Sequence, residues 1–175
     1  DPLLLRVLSI QEKILGEKHP DAARPLQALG TLYDRMGNTA KAESFYQRAI
    51  SIQEVNPGPN HPDLARSLAG LGMLYMNMGD YDKALPMYVR ALSIQEKVYG
   101  PEHPAVANTR GKLAGLYEKL GNAVMADKLD HQVLNIDEKA LGWSHPETAT
   151  ALMNLGVLHE RMGELNLAKT FDEQA

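Results

Sequence analysis

Apolar residues recur at three- and four-residue steps through most of the chain, and Gly, Pro and single polar residues break the rhythm at regular places. That spacing predicts amphipathic helices, each with one stripe to bury. The breaks are themselves periodic. His-Pro stands at His19-Pro20, His61-Pro62, His103-Pro104 and His145-Pro146, 42 residues apart each time. Gly37, Gly79, Gly121 and Gly163 keep the same step, as do Ala42, Ala84, Ala126 and Ala168, and Leu29, Leu71, Leu113 and Leu155. Ile10, Ile52, Ile94 and Ile136 recur with Glu two residues on, and the column Tyr33, Tyr75, Tyr117 ends in His159. One supersecondary unit is therefore copied along the chain.

The second copy shows how the unit folds. Pro62 suits a first helical position, where its missing N–H is no loss, and Asp63 places negative charge in the first turn. Ala65, Leu68, Leu71, Gly72, Tyr75 and Met78 then form one stripe of an inner helix that Gly79 ends. Asp80 is placed to cap an outer helix, in which Ala84, Met87, Tyr88, Ala91, Leu92 and Ile94 or Val98 mark a second stripe up to Gly100. The two-residue link between the helices requires an antiparallel pair, and neither helix buries its stripe alone. Stacking of successive hairpins follows.

Leu71-Gly72, Tyr75, Gly79, Tyr81, Ala84, Tyr88 and Ala91 resemble the tetratricopeptide repeat (TPR) pattern. The lengthened outer helix, closing on Gly-x-x-His-Pro, is similar to the 42-residue repeats of kinesin light chains and related bacterial and signalling proteins. The resemblance implies an all-α, right-handed α-α superhelix of about nine antiparallel helices, and a groove that takes acidic peptides. Kinesin light chain repeats typically carry Leu-Asn-Asn-Leu-Ala in the inner helix; of the second Asn, only Asn154 is present here. The chaperone-type carboxylate clamp is matched in part, by Arg24, Arg66 and Lys112.

The organisation expected is a single array over residues 1–175: a partial repeat at 1–18, full repeats at 19–60, 61–102 and 103–144, and a truncated one at 145–175. The chain opens at Asp1-Pro2 without an initiator Met or a leader, so it reads as a piece of a longer protein. Both ends are outer helices without a polar cap, which predicts apolar ends around Leu4, Leu8, Leu167 and Phe171 that seek partners, including a second copy. Three local departures also matter. Pro57 predicts an early end to the first full outer helix, and Pro25 and Pro86 predict kinks. Arg110 in a Leu column, with Asp130 and Asp172 in a Tyr column, predicts less regular packing in the third and fourth units.

Composition narrows the function. The 175 residues are 44% hydrophobic and 23% charged, with net charge −4, no Cys and no apolar run long enough to span a membrane. This excludes a disordered tail, thiol chemistry and thiolate zinc sites, and argues against nucleic-acid binding. The four His-Pro histidines open successive inner helices, whose axes pack about 8–10 Å apart, so they do not share one metal ion; each is expected to bond a helix end instead. His159-Glu160 begins a His-Glu-x-x-His motif that Gly163 breaks. Gly70-Leu71-Gly72 follows no strand and reads as close helix packing rather than a phosphate loop. No catalytic residue, cofactor or metal is expected, nor an enzyme.

One pattern points to binding. Beside the core stripe, the inner helices carry a second face: Arg24, Ala28, Thr31, Arg35; Arg66, Gly70, Met73, Asn77; Asn108, Lys112, Gly115, Lys119; and Thr150, Asn154, Val157, Arg161. Arg24, Arg35, Arg66, Lys112, Lys119 and Arg161 make it basic with no acidic member, where even scattering of the 18 basic and 22 acidic residues gives about 1.6 and about 2.0. In stacked hairpins this face lines the concave side. The expected function is a protein-interaction scaffold whose groove holds an acidic peptide, the cations taking its carboxylates and Asn77, Asn108 and Asn154 its backbone. The bland counterpart is a solvated face neutralised by Asp34, Glu118 and Glu160; the functional alternative is a self-assembling, spacer or sensor segment of a larger signalling or transport-adaptor protein. The expected location is cytoplasmic.

Overall fold

The computed structural model describes residues 2–174. Among them are nine α-helices and no strand: α1 (Pro2–Leu15), α2 (Ala23–Arg35), α3 (Thr39–Val55), α4 (Pro62–Asn77), α5 (Tyr81–Tyr99), α6 (Pro104–Lys119), α7 (Ala123–Leu141), α8 (Pro146–Arg161) and α9 (Leu165–Gln174). The even-numbered helices are the inner ones and the odd-numbered the outer ones. Two compact units divide the chain, Asp1–Ile94 and Gln95–Ala175, and the boundary falls inside α5.

Each inner helix starts at its His-Pro pair for a local reason. His61 Nδ1 accepts the backbone N–H of Asp63 at 3.2 Å, and His19, His103 and His145 accept from Asp21, Ala105 and Glu147 in the same way. The imidazole thus satisfies a donor that the first helical turn leaves orphaned, as expected of a helix-end role. Asn38 and Asn122 do the same at the outer helices α3 and α7. The hairpin links turn on glycines such as Gly79, whose φ of +77° is a backbone that side chains rarely adopt.

The prolines act differently from one another. Pro25 lacks the N–H that would bond back to Asp21, and the residue before it disfavours helix. The chain answers with a 3₁₀ turn at Pro20–Ala22, and α2 starts at Ala23 rather than kinking. Pro86 lies inside an α5 that continues to Tyr99. α3 has 17 residues where α5 and α7 have 19, the early end that Pro57 imposes.

In the first unit, Tyr46 of α3 is buried between two inner helices. A Cβ placed on Gly30 of α2 would stand 2.9 Å from its ring, and one on Gly70 of α4 only 2.6 Å from it. Gly72 faces Tyr88 of α5 in the same manner. These glycines are what let an outer-helix aromatic ring reach between inner helices, which is the close packing expected of Gly70-Leu71-Gly72. In the second unit the Tyr column holds Asp130, which is buried, and burial together with Glu118 and Asp127 pushes its carboxyl up to about 7. Arg110, standing in the Leu column, turns its guanidinium to Glu96 Oε1 at 2.8 Å and to the Pro101 carbonyl at 3.2 Å. Polar contacts replace apolar ones at Arg110, whereas the buried Asp130 Oδ2 has no hydrogen-bond partner among the described residues.

Candidate functional site

Helical periodicity separates two faces of every inner helix. On α2, Ala23, Leu26, Leu29, Gly30 and Tyr33 are buried, while Arg24, Ala28, Thr31 and Arg35 are exposed. On α4, Arg66 and Asn77 are exposed and Gly70 and Met73 half-buried. Asp63 lies 3.2 Å from Arg66 and 3.7 Å from Arg24, so one carboxylate serves two of the candidate cations. Arg35 has no carboxylate in ion-pair reach among the described residues. A cleft of about 500 Å³ opens beside Arg24, walled by Asp21 and Asp63 and floored by Gln53 of α3. The Gln53 side chain is fully buried, and its amide N and O have no hydrogen-bond partner among the described residues.

The second unit repeats this cleft 84 positions further on, with about 370 Å³ between α6 and α8. Four of the candidate residues meet there: Asn108, Lys112, Thr150 and Asn154. Lys112 is half-buried, and loss of solvent holds its ammonium below the usual lysine range; it has no carboxylate in ion-pair reach among the described residues. Lys119 and Arg161 are exposed, and Arg161 donates to Glu118 Oε2 at 2.5 Å, the neutralisation expected of that glutamate.

The sixteen inner-face positions carry no acid, but they are only part of the cleft's lining, which is also floored by Asp137 of α7 and flanked by Glu147 at the start of α8. Asp137 is buried, which raises its carboxyl above the usual range; Glu147 raises it further and His145 opposes. The signal was available: Gln11, Gln53, Gln95 and Asp137 form one column, and a polar residue kept beside a buried Ile is a candidate floor. Its direction becomes visible only when the outer helix is packed against its neighbours.

The proposed end contacts divide. Leu8 is buried within its own unit and Leu4 half-buried, while Val7, Ile10 and Ile14 of α1 stand exposed. At the other end Leu167 is exposed, but Phe171 is half-buried with its ring stacked on His159 at 5.3 Å. Leu8 and Phe171 therefore face inward, because the apolar stripe of each end helix packs on its adjacent inner helix.

Helical hairpins in series, each burying one stripe and leaving a second, polar inner-helix face open, define an all-helical repeat scaffold. The tetratricopeptide repeat family model matches residues 2–54, 63–126 and 109–175, and the chain belongs to that family. Among solved structures, a Podosopora anserina protein described by nearly identical, kinesin light chain TPR-like repeats is 26% identical, with a TM-score of 0.84 over 99% of this chain and 82% of that one. BtubC (BKLC) from P. vanneervenii shares the fold at 23% identity and a TM-score of 0.90, over 99% of this chain and 69% of that one. No curated protein sequence matches the chain. Membership makes it a protein-interaction scaffold in general terms, of a fold that is typically non-catalytic, and no described helix is long and apolar enough to cross a membrane.

Proposed function

We propose that the chain recognises an extended acidic segment of a protein partner on its inner-helix face, with the cleft between α6 and α8 as the principal pocket. Lys112 carries the reading. A half-buried ammonium with no carboxylate in ion-pair reach gains more from an incoming carboxylate than a fully exposed lysine does. Asn108 and Asn154 at the same cleft offer donors and acceptors to a peptide backbone. Exposed Arg35 and Lys119 add positive field on the inner faces of their own units, which speeds encounter with an anionic partner.

The test uses three fluorescent peptides of equal length, rich in Glu, in Ser and Gly, or in Lys. The Glu-rich peptide is expected to bind best, to weaken as salt is raised, and to lose about tenfold in affinity with Lys112→Gln while helicity is unchanged. Equal binding of the neutral peptide, or indifference to Lys112→Gln, overturns the acidic reading.

A second reading is favoured by the exposed apolar residues of α1: self-association through Val7, Ile10 and Ile14. Light scattering is then expected to report a mass that rises with concentration and returns to the monomer value in the Ile10→Glu, Ile14→Glu double variant. A constant monomer mass at all concentrations removes it.

A further inference from the structure

We propose that Asp127, His131 and His159 form a binding site for a divalent transition-metal ion, zinc by the chemistry of its ligands, that fastens α7 to α8. Asp127 and His131 lie one turn apart on α7, and His159 reaches them from the C-terminal end of α8. Asp127 Oδ1 is 3.1 Å from His159 Nε2 and 3.5 Å from His131 Nε2, and one ligand atom from each residue lies within 4.8 Å of the others. Bonds of about 2.0–2.1 Å to a tetrahedral ion put neighbouring ligand atoms about 3.3 Å apart. Two imidazoles and a carboxylate suit zinc and similar ions, and leave a fourth position for water.

The state of His159 argues that something belongs between these groups. Its side chain is 7% exposed, and its Nδ1 stands 2.6 Å from Glu164 Oε2. With the Nδ1 proton given to Glu164, Nε2 presents a lone pair toward a carboxylate oxygen. The two atoms are not aligned as donor and acceptor, and both are buried without a hydrogen-bond partner among the described residues. A cation resolves that conflict, and a carboxylate behind a ligating imidazole is the usual way to fix its ring and tautomer. His131, with its side chain 49% exposed, leaves one side of the site open for the ion to enter.

The repeat supplies an internal control. Eighty-four positions earlier the same places hold Glu43, Gln47 and Tyr75, and there the Tyr75 hydroxyl donates to Glu43 Oε1 at 2.6 Å. That set satisfies itself. The stacking of Phe171 on His159 has its own counterpart in Tyr33 on Phe45, so it belongs to the scaffold and is no part of the case. What distinguishes the second unit is the replacement of a self-sufficient hydrogen-bonded trio by three ligating side chains. The His-Pro histidines lie on successive inner helices, too far apart to share an ion, and His131 and His159 belong to neither that set nor that geometry. The second histidine missing from the His159-Glu160 motif is supplied across the helix interface instead.

The experiment is a zinc titration of the chelator-treated full chain against a chromophoric competitor, repeated with cobalt to read its visible spectrum. One equivalent is expected to bind, with a spectrum of low-coordinate cobalt and a raised melting temperature. His131→Gln, which alters an exposed side chain, and the isosteric Asp127→Asn are each expected to weaken binding at least tenfold. Glu164→Gln should weaken it about tenfold through the ring it holds, and His103→Gln should leave it unchanged. Absence of stoichiometric binding, or zinc affinity equal in the wild type and His131→Gln, overturns the site. Either result would leave the contact of His159 with Glu164 as a packing feature that holds no ion.

Discussion

Replacing Gly70 by alanine is expected to destabilise the first unit by about 1–3 kcal/mol, the usual penalty for overfilling a packed core. Helix propensity alone points the other way, since alanine in a helix interior is favoured over glycine by up to about 1 kcal/mol. The contact decides. The added Cβ would lie 2.6 Å from Tyr46 Cε1 and 2.9 Å from its Cζ, and the ring already fits so closely against α2 that a Cβ on Gly30 would stand 2.9 Å from it. Tyr46 is also held at its hydroxyl, 2.9 Å from Thr31 Oγ1. Combining Gly70→Ala with Tyr46→Leu should therefore recover much of the loss, and urea melts of the four proteins in the cycle measure the coupling. Additive effects in that cycle would show that the ring does not set the limit.

Asp137→Asn is expected to act on both stability and binding. Burial and Glu147 hold the folded carboxyl above its ordinary value, so the folded chain keeps this proton over a pH range in which the unfolded chain has lost it. Stability contributed by the group is present at low pH and falls as pH rises through that range. Asparagine, which has no proton to lose, should be more stable than wild type at pH 8, and the difference should shrink toward pH 4. A difference that does not change with pH would contradict the cause assigned. The same variant removes the acid from the floor beside Lys112 and should tighten binding of the Glu-rich peptide severalfold. Looser binding would mean that Asp137 orients the lysine rather than opposing the ligand.

The inner-helix faces could be read from sequence because helical geometry fixes which residues share a side, and Arg24, Arg35, Arg66 and Arg161 stand exposed where the period puts them. The charge of the clefts could not. It depends on acids such as Asp137, which lies on an outer helix and enters the cleft only through the packing of the hairpin. Likewise Asp63 serves Arg24 on another helix as well as Arg66 on its own, which no count along one helix reveals. Pro25 was visible as a disturbance, but its outcome was a 3₁₀ turn and a late start, chosen by which backbone bonds the first turn could still make.

By itself the sequence determined the repeat, its 42-residue period, the helix ends at His-Pro and Gly, and which side of each inner helix is open. These follow from local chemistry: missing or orphaned backbone donors, glycine dihedrals and the 3.6-residue turn. Tertiary structure decided which side chains of different helices meet. His131 and His159 are 28 positions apart, and only His159 stands out in its column, yet helix packing brings both to one carboxylate. Periodicity constrains neighbours within a helix, whereas contact across helices is set by how two surfaces nest.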